Sequence, residues 1–244
     1  MSPIMKTTPR LHIEASLAPN AEVILTREQA HYLMGVLRMG PGAALRVFNG
    51  RDGEWLACLT SVSKKFVALR CEQLVEGAAR PPDIDYLFAP LKHARLDYMV
   101  QKATELGVRR LRPVMTQHTV AERVNLERMR ANVVEAAEQC NLVYVPEVLA
   151  PVKLKLLLGQ WDAERSLLFC DETMENSNPL EILKQVKAPA AVLVGPEGGF
   201  TLDEITLLRS LRFVVPISLG PRILRADTAA IAVLTLVQAC CGDW

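Results

Sequence analysis

Two segments of this chain repeat one design. Val192–Phe200 reads VLVGPEGGF and Ile217–Arg225 reads ISLGPRILR. Each is an apolar strand, then Gly-Pro, then a charged residue, then the start of a helical pattern. The two Gly-Pro pairs stand 25 residues apart, one strand–helix unit. Successive units of this kind build a parallel sheet, because parallel neighbours need a long crossover, usually a helix. Both loops then emerge at the same carboxyl edge, where open α/β sheets bind their ligands. Either loop alone is an ordinary turn; the pair in consecutive units argues for a site.

The rest of the chain divides at Gly77–Pro82, where GAARPP interrupts any regular element. Before it, Ala44–Phe48, Trp55–Val62 and Phe66–Cys71 read as short strands, with NGRDG as a turn after the first. Only Arg27–Arg38 has helical periodicity there, through Ala30, Leu33, Met34 and Leu37. Strands at this spacing predict a small β-barrel over residues 1–75. After the break, strands are expected at Ile84–Ala89, Leu111–Met115, Val143–Val148, Ser166–Cys170, Ala191–Val194 and Val214–Leu219. Helices fall between them. The clearest spans Arg95–Leu106, with Gly107 at its stop, and Asn125 can cap a second that ends near Cys140. Residues 76–244 thus read as an α/β domain with a parallel sheet. Ala229–Val237 is apolar on every side, which predicts a last helix buried all round, in its own core or against a partner.

Composition narrows the class. Hydrophobic residues make up 50% and charged residues 23%, and the formal net charge is +1, so no global field draws the chain to polyanions. Residues 1–75 carry nine Lys and Arg against six Asp and Glu, a basic front module on a near-neutral body. No leader is expected from the N-terminal residues. The longest uncharged apolar stretch, Thr228–Gly242, is shorter than the ~18–20 residues of a membrane span. The six cysteines form no C-x-x-C and have no His at ligand spacing, so reduced thiols, no zinc and a cytoplasmic location are expected.

The loops contain neither G-x-G-x-x-G nor G-x-x-x-x-G-K-[ST], which disfavours a phosphate cradle. They suit a ligand held by backbone groups, such as an adenine-bearing cofactor. GPEGGF followed by LGPRILRADTA resembles the SPOUT superfamily of S-adenosylmethionine-dependent RNA methyltransferases, and within it the bacterial 16S ribosomal RNA uridine-N3 methyltransferase family. QKATELGV (Gln101–Val108), EAAEQ (Glu135–Gln139), VPEV (Val145–Val148) and HYLMGVLRM (His31–Met39) also resemble that family, so the likeness spans nearly the whole chain. Three places depart from its pattern. Ala226-Asp227 replaces Thr-Glu, Asn141-Leu142-Val143 stands where an Arg commonly follows EAAEQ, and His118 stands where Arg or Ser is frequent.

The resemblance implies a PUA-like barrel before a SPOUT domain tied in a trefoil knot. It also implies a homodimer, S-adenosylmethionine as cofactor, 16S ribosomal RNA of the small subunit as substrate, and no metal. The cofactor is expected against Val194, Gly195, Pro196, Glu197, Gly198, Leu219, Gly220, Ile223 and Leu224. Glu197 bonds cofactor hydroxyls in this reading or, less favoured, acts as a base. Arg225 and Arg222 are the catalytic candidates: three residues apart, they share a face if a helix has begun. A guanidinium there would stabilise negative charge on uracil oxygens, or else bind phosphate. Arg10, Arg38, Lys92, Arg95 and Lys102 are the basic residues offered to RNA. The competing readings are a ribose 2′-O-methyltransferase of the same superfamily, an RNA-binding or assembly protein with an inactive cofactor site, and a binder of another adenine nucleotide.

Overall fold

The structure is a computed structural model that describes residues 8–63, 66–121, 123–174 and 178–244. The chain forms two compact units. The first holds the residues up to Arg80 together with Ala137–Val145; the second holds Pro81–Ala136 and Pro146–Trp244.

In the first unit, β1 (Arg10–His12), β2 (Glu22–Ile24), β3 (Ala44–Phe48), β4 (Glu54–Val62) and β5 (Val67–Glu76) form one sheet in the order β1-β3-β4-β5-β2. The expected barrel strands are all present, and β5 runs on past Cys71. The three-residue edge strands β1 and β2 are additions that periodicity is too short to show. Register shifts interrupt the β4–β5 ladder at three points, and such bulges bend a strand and strengthen its twist. All five strands contribute to one buried cluster, including Leu11, Val23, Val47, Leu59 and Leu69. Leu33 plugs it from the helical segment, in which α1 (Arg27–His31) continues as a π-turn, Tyr32–Val36. Thr26 closes a capping box with Gln29 and fixes where that helix starts.

A linear boundary after residue 75 needs two corrections. β5 runs to Glu76, which moves the boundary into the GAARPP stretch. Residues 137–145 also join the first unit, and buried charge accounts for it. Glu54 is 1% exposed and receives Arg10 Nε at 2.5 Å and Arg46 Nη1 at 3.1 Å. Arg10 then donates to the carbonyls of Ala137 (2.6 Å), Glu138 (2.9 Å) and Leu142 (2.8 Å). Arg46 Nη2 donates to Asn141 Oδ1 at 3.2 Å. Asn141 sits at φ +63°, a left-handed stop that Asn tolerates better than most residues. The position where the family commonly has Arg is thus occupied by a helix terminator. Only Glu147–Val148 of the strand expected over Val143–Val148 is formed, because the preceding backbone is drawn to Arg10.

The second unit is a parallel sheet in the order β12-β10-β11-β6-β7-β8, with β9 paired to β7. Its strands are β6 (Ile84–Phe88), β7 (Arg110–Met115), β8 (Glu147–Val148), β9 (Val152–Lys153), β10 (Ser166–Cys170), β11 (Ala190–Val194) and β12 (Val214–Ile217). β6 and β11 are buried at every residue, as strands covered on both faces must be. The helices are α2 (His93–Glu105), α3 (Leu126–Gln139), α4 (Leu154–Gly159), α5 (Pro179–Leu183), α6 (Leu202–Ser210) and α7 (Ala226–Cys241). Gly107, at φ +73°, ends α2, and Asn125 Oδ1 accepts the Arg128 N–H at 3.0 Å to cap α3.

Within its own chain, α7 is not buried all round. Ala229, Ala230, Val233, Leu234 and Val237 are buried, while Ile231, Ala232 and Leu236 on the other side are half-buried. All six cysteines are free thiols, with Cys71 fully buried. Among the described residues, no helix is long and apolar enough to cross a membrane.

Candidate active site

The carboxyl ends of β10, β11 and β12 surround a cavity of about 380 Å³. That lies within the ~300–1,000 Å³ range of small-molecule sites. Both Gly-Pro loops line it. The first is shaped by contacts that exclude side chains. A Cβ on Gly195 would fall 2.5 Å from the Phe200 ring, and one on Gly199 would fall 2.3 Å from Glu172 Oε1. Gly199 also sits at φ +67°, its N–H bonded to Pro196 O at 2.9 Å. Phe200 meets Phe169 edge to face at 5.1 Å, which gives the cavity an aromatic wall.

The loop is fixed from outside as well. Thr201 and Glu204 form a capping box that starts α6. Glu204 is buried, and its other carboxylate oxygen accepts the Gln117 N–H at 2.9 Å. His118 Nδ1 lies 3.0 Å from Gly198 O and 3.2 Å from Gly199 O. Carbonyl oxygens only accept, so Nδ1 carries the proton and donates. The loop after β7 therefore clasps the glycine loop through adjacent residues. His118 acts here as a tie rather than at the cavity wall.

Most cofactor positions expected from sequence line the cavity: Val194, Gly195, Pro196, Glu197, Leu219, Gly220, Ile223 and Leu224. Gly198 does not; Gly199 takes that place, and Gly198 backs onto His118 instead. The sequence reading missed the third strand end, which brings Phe169, Cys170, Asp171 and Glu172 to the cavity. The signal was available, since the carboxyl end of Ser166–Cys170 must lie at the same sheet edge. Asp171 is buried and takes Arg209 Nε at 2.8 Å and Nη2 at 2.6 Å, tying this strand end to α6. Burial pushes the Cys170 thiol up to about 12, so it stays a neutral lining group.

Arg222 and Arg225 also line the cavity, but not from a helix. α7 begins at Ala226, Arg225 is its N-cap, and Arg222 lies in the irregular turn before it. The Pro-containing loop stays open one turn longer than helical spacing suggests. Both side chains are exposed, and neither has a side-chain partner among the described residues. Ile223 between them is 86% exposed.

The basic residues offered to RNA separate. Arg10 is a correction: it is 7% exposed and bonded through Nε, Nη1 and Nη2, so no phosphate can reach it. Arg95 lines the cavity and pairs with Glu197, with 41% of its side chain exposed. Lys102 is half-buried, pairs with Glu105 at 2.7 Å and lies over the Tyr98 ring. Arg38 and Lys92 stand exposed.

A family model described as an RNA methyltransferase domain matches residues 79–238, and one described as an RNA methyltransferase PUA domain matches residues 25–70. The chain belongs to the RNA methyltransferase family. Within it, a ribosomal RNA small subunit methyltransferase E from Rickettsia conorii is 32% identical, with 94% of each chain covered. The enzyme of the same name from Synechocystis is 34% identical over 94% of this chain and 77% of its own. A crystal structure of that enzyme from Neisseria gonorrhoeae, bound to S-adenosyl methionine, superposes with a TM-score of 0.87 at 26% identity, covering 97% and 99% of the two chains. A methyltransferase from Legionella pneumophila in complex with the cofactor gives 0.85 at 29% identity, with the same coverage. The fold of this RNA methyltransferase is therefore the α/β fold of those relatives, a PUA-like sheet followed by a SPOUT-type parallel sheet.

Proposed function

We propose that this RNA methyltransferase uses S-adenosylmethionine to methylate N3 of a specific uridine in 16S ribosomal RNA of the small subunit. One observation carries the reading: two unpaired guanidinia, Arg222 and Arg225, border a cavity walled by glycine-loop backbone. The names of the relatives support ribosomal RNA as the substrate class. The sequence resemblance supplies the target atom.

The residues present fit the cofactor. The first loop leaves no room for side chains at Gly195 and Gly199, so backbone groups line the site there. Phe169, Leu219, Ile223 and Leu224 offer apolar surface for an adenine, and Glu197 or Glu172 an acceptor for hydroxyls. When bound, S-adenosylmethionine supplies an electrophilic methyl carbon on a cationic sulfur. Arg95 holds Glu197 at the cavity mouth and fixes where that acceptor points.

Uracil N3 carries a proton and is a poor nucleophile until that proton passes to solvent or, less favoured, to Glu197, after which negative charge spreads over O2 and O4. Arg225 stabilises that charge as a donor that cannot itself serve as a base. Arg222 holds the second oxygen or the adjoining phosphate. Neither guanidinium has to leave an acidic partner first, so the donors are ready without reorganisation. A dry cavity strengthens both interactions. Arg38 and Lys92 contribute phosphate contacts.

The half-buried side of α7 fits a homodimer, and a ribosomal substrate places the work in the cytoplasm. Two Gly-Pro loops meeting at one cavity accord with the trefoil crossing expected for the superfamily.

Labelled methyl transfer to unmodified small subunits, followed by primer extension, tests the reading. Methylation at N3 blocks the Watson–Crick edge, so reverse transcriptase stops one residue short of a single uridine. Incorporated label without a stop would move the target to a ribose hydroxyl. No label despite intact cofactor binding would remove the catalytic reading.

A further inference from the structure

The second unit holds another cavity, of about 200 Å³. It lies against one face of β6 and β7, away from the strand ends that line the first cavity. Asp85 and Leu87 of β6 are in parallel register with Arg110 and Arg112 of β7, so the four side chains share one sheet face. Trp161 and Arg165, just before β10, and Leu157 of α4 complete much of the wall.

Charge in this cavity does not balance. Asp85 is 6% exposed and receives Arg110 through Nε and Nη2, both at 2.7 Å, with Arg165 Nη1 at 3.6 Å. Arg165 is 8% exposed and is held further by Asp83 at 2.8 Å and by the carbonyls of Asp83 and Ala190. Asp83 also pairs with Arg109 at 2.8 Å. Asp162 turns to its own loop and accepts the Glu164 N–H at 3.1 Å. Asp83, Asp85 and Asp162 are therefore engaged, and Glu147, opposite Arg110 on β8, is not part of the wall. Arg112 has no carboxylate partner: its Nε is buried, and no acceptor among the described residues reaches it.

A guanidinium cannot shed its proton at ordinary pH, so this charge persists. A buried donor without an acceptor costs about 1–3 kcal/mol, and more when charged. Leu149, Val152, Leu157 and Trp161 form the apolar part of the wall, and Gln160 adds a neutral amide. The cavity is too small for a nucleotide cofactor, whose sites usually exceed ~300 Å³. A forked donor in a small cavity whose aspartates are already engaged selects one chemistry. We propose that this cavity is a second binding site, which takes a small oxyanion, phosphate or carboxylate, on the Arg112 guanidinium. The proposal is independent of the methyl-transfer reading, because no wall residue of this cavity lines the other.

The test uses the full chain and two probes, inorganic phosphate and acetate, titrated by calorimetry at constant ionic strength against chloride. Trp161 lies in the wall, so its fluorescence reports occupancy, and Trp161→Phe assigns the signal. Saturable binding of either probe is expected, weakened at least tenfold in Arg112→Gln. Arg112→Lys, which keeps charge but loses the fork, should fall between. Thermal melts of each variant confirm folding, which the absence of partners at Arg112 favours. A short oligoribonucleotide then distinguishes sources. Competition with phosphate that depends on Arg112 identifies an RNA phosphate as the occupant; phosphate binding without competition identifies a free small anion. Binding equal to chloride, or unchanged affinity in folded Arg112→Gln, overturns the proposal.

Discussion

Arginine plays opposite parts at two places, one in each unit. In the first, Arg10 and Arg46 flank a carboxylate that is almost wholly inaccessible, and Arg10 is bonded on to three carbonyls of a distant segment. In the second, Arg222 and Arg225 are exposed at a cavity with no acidic partner among the described residues. The residue type is the same, and what differs is whether a counter-charge was built beside it. Paired and buried, arginine holds backbone in place; unpaired at a rim, it waits for charge that arrives with a substrate. A substitution that separates stability from activity therefore tests the contrast directly.

The largest effect is expected at Glu54. Glu54→Gln leaves two guanidinia buried without their anion, and breaking one side of such a cluster typically costs ~3–5 kcal/mol. Urea denaturation should show that loss. A change under ~1 kcal/mol would mean that the carbonyls of Ala137, Glu138 and Leu142 suffice to hold Arg10. Arg225→Ala is the converse. Folding stability should stay within ~0.5 kcal/mol, as for exposed positions without partners. Methyl transfer should fall about 10²–10³-fold, the usual effect of removing one charge-stabilising donor. Unchanged cofactor affinity by calorimetry would locate the loss in the chemical step; normal turnover would remove Arg225 from it.

These two substitutions also mark where sequence reading stops. Ser166–Cys170 and Ala44–Phe48 agree to the residue, and α2 differs from its expected span by two residues at the start and one at the end. Those elements follow from periodicity and local stop signals, which act over a few residues. The paired Gly-Pro loops were legible for the same reason, since topology alone carries both to one sheet edge. Arg10 was not legible. Its ion-pair partner lies 44 residues away and its first carbonyl partner 127 residues away, so a charge count treats it as one more surface cation. The Arg95–Glu197 pair was not legible either, because the two lie 102 residues apart. The helix start expected at Arg222 failed for a local reason: the loop after Gly220 remains irregular through Leu224.

A smaller effect is expected from the glycine loop, where backbone rather than charge makes the site. Gly199→Ala puts a Cβ at φ +67° and 2.3 Å from Glu172 Oε1. A non-glycine residue in that region costs ~1–3 kcal/mol, so cofactor affinity should weaken about tenfold or more. Adding Glu172→Ala should relieve the collision but not the backbone strain, and so recover only part of the loss. Full recovery would assign the glycine to space alone.

The smallest effect distinguishes the units by acid. Burial holds the His12 imidazole below its usual value of 6.5, with Glu14 opposing and Arg51 adding to the shift. In the unfolded chain the same ring takes up its proton near 6.5. Between the two values the unfolded state binds more protons, so stability falls as pH is lowered through that window. Above 6.5 both forms are neutral and the contribution is flat. In the second unit, burial raises the Asp83 carboxyl, but Arg165 and then Arg109 outweigh it and hold the group below 3.8. Its contribution is present above that value and is lost only as pH falls beneath it. Melting temperatures measured from pH about 7 down to about 5 should therefore decline through the first unit's histidine and not through Asp83. His12→Gln should flatten that decline while leaving any loss at lower pH in place. A slope unchanged by His12→Gln would mean that another group takes up the proton and that acid sensitivity in this range does not belong to the first unit's half-buried ring.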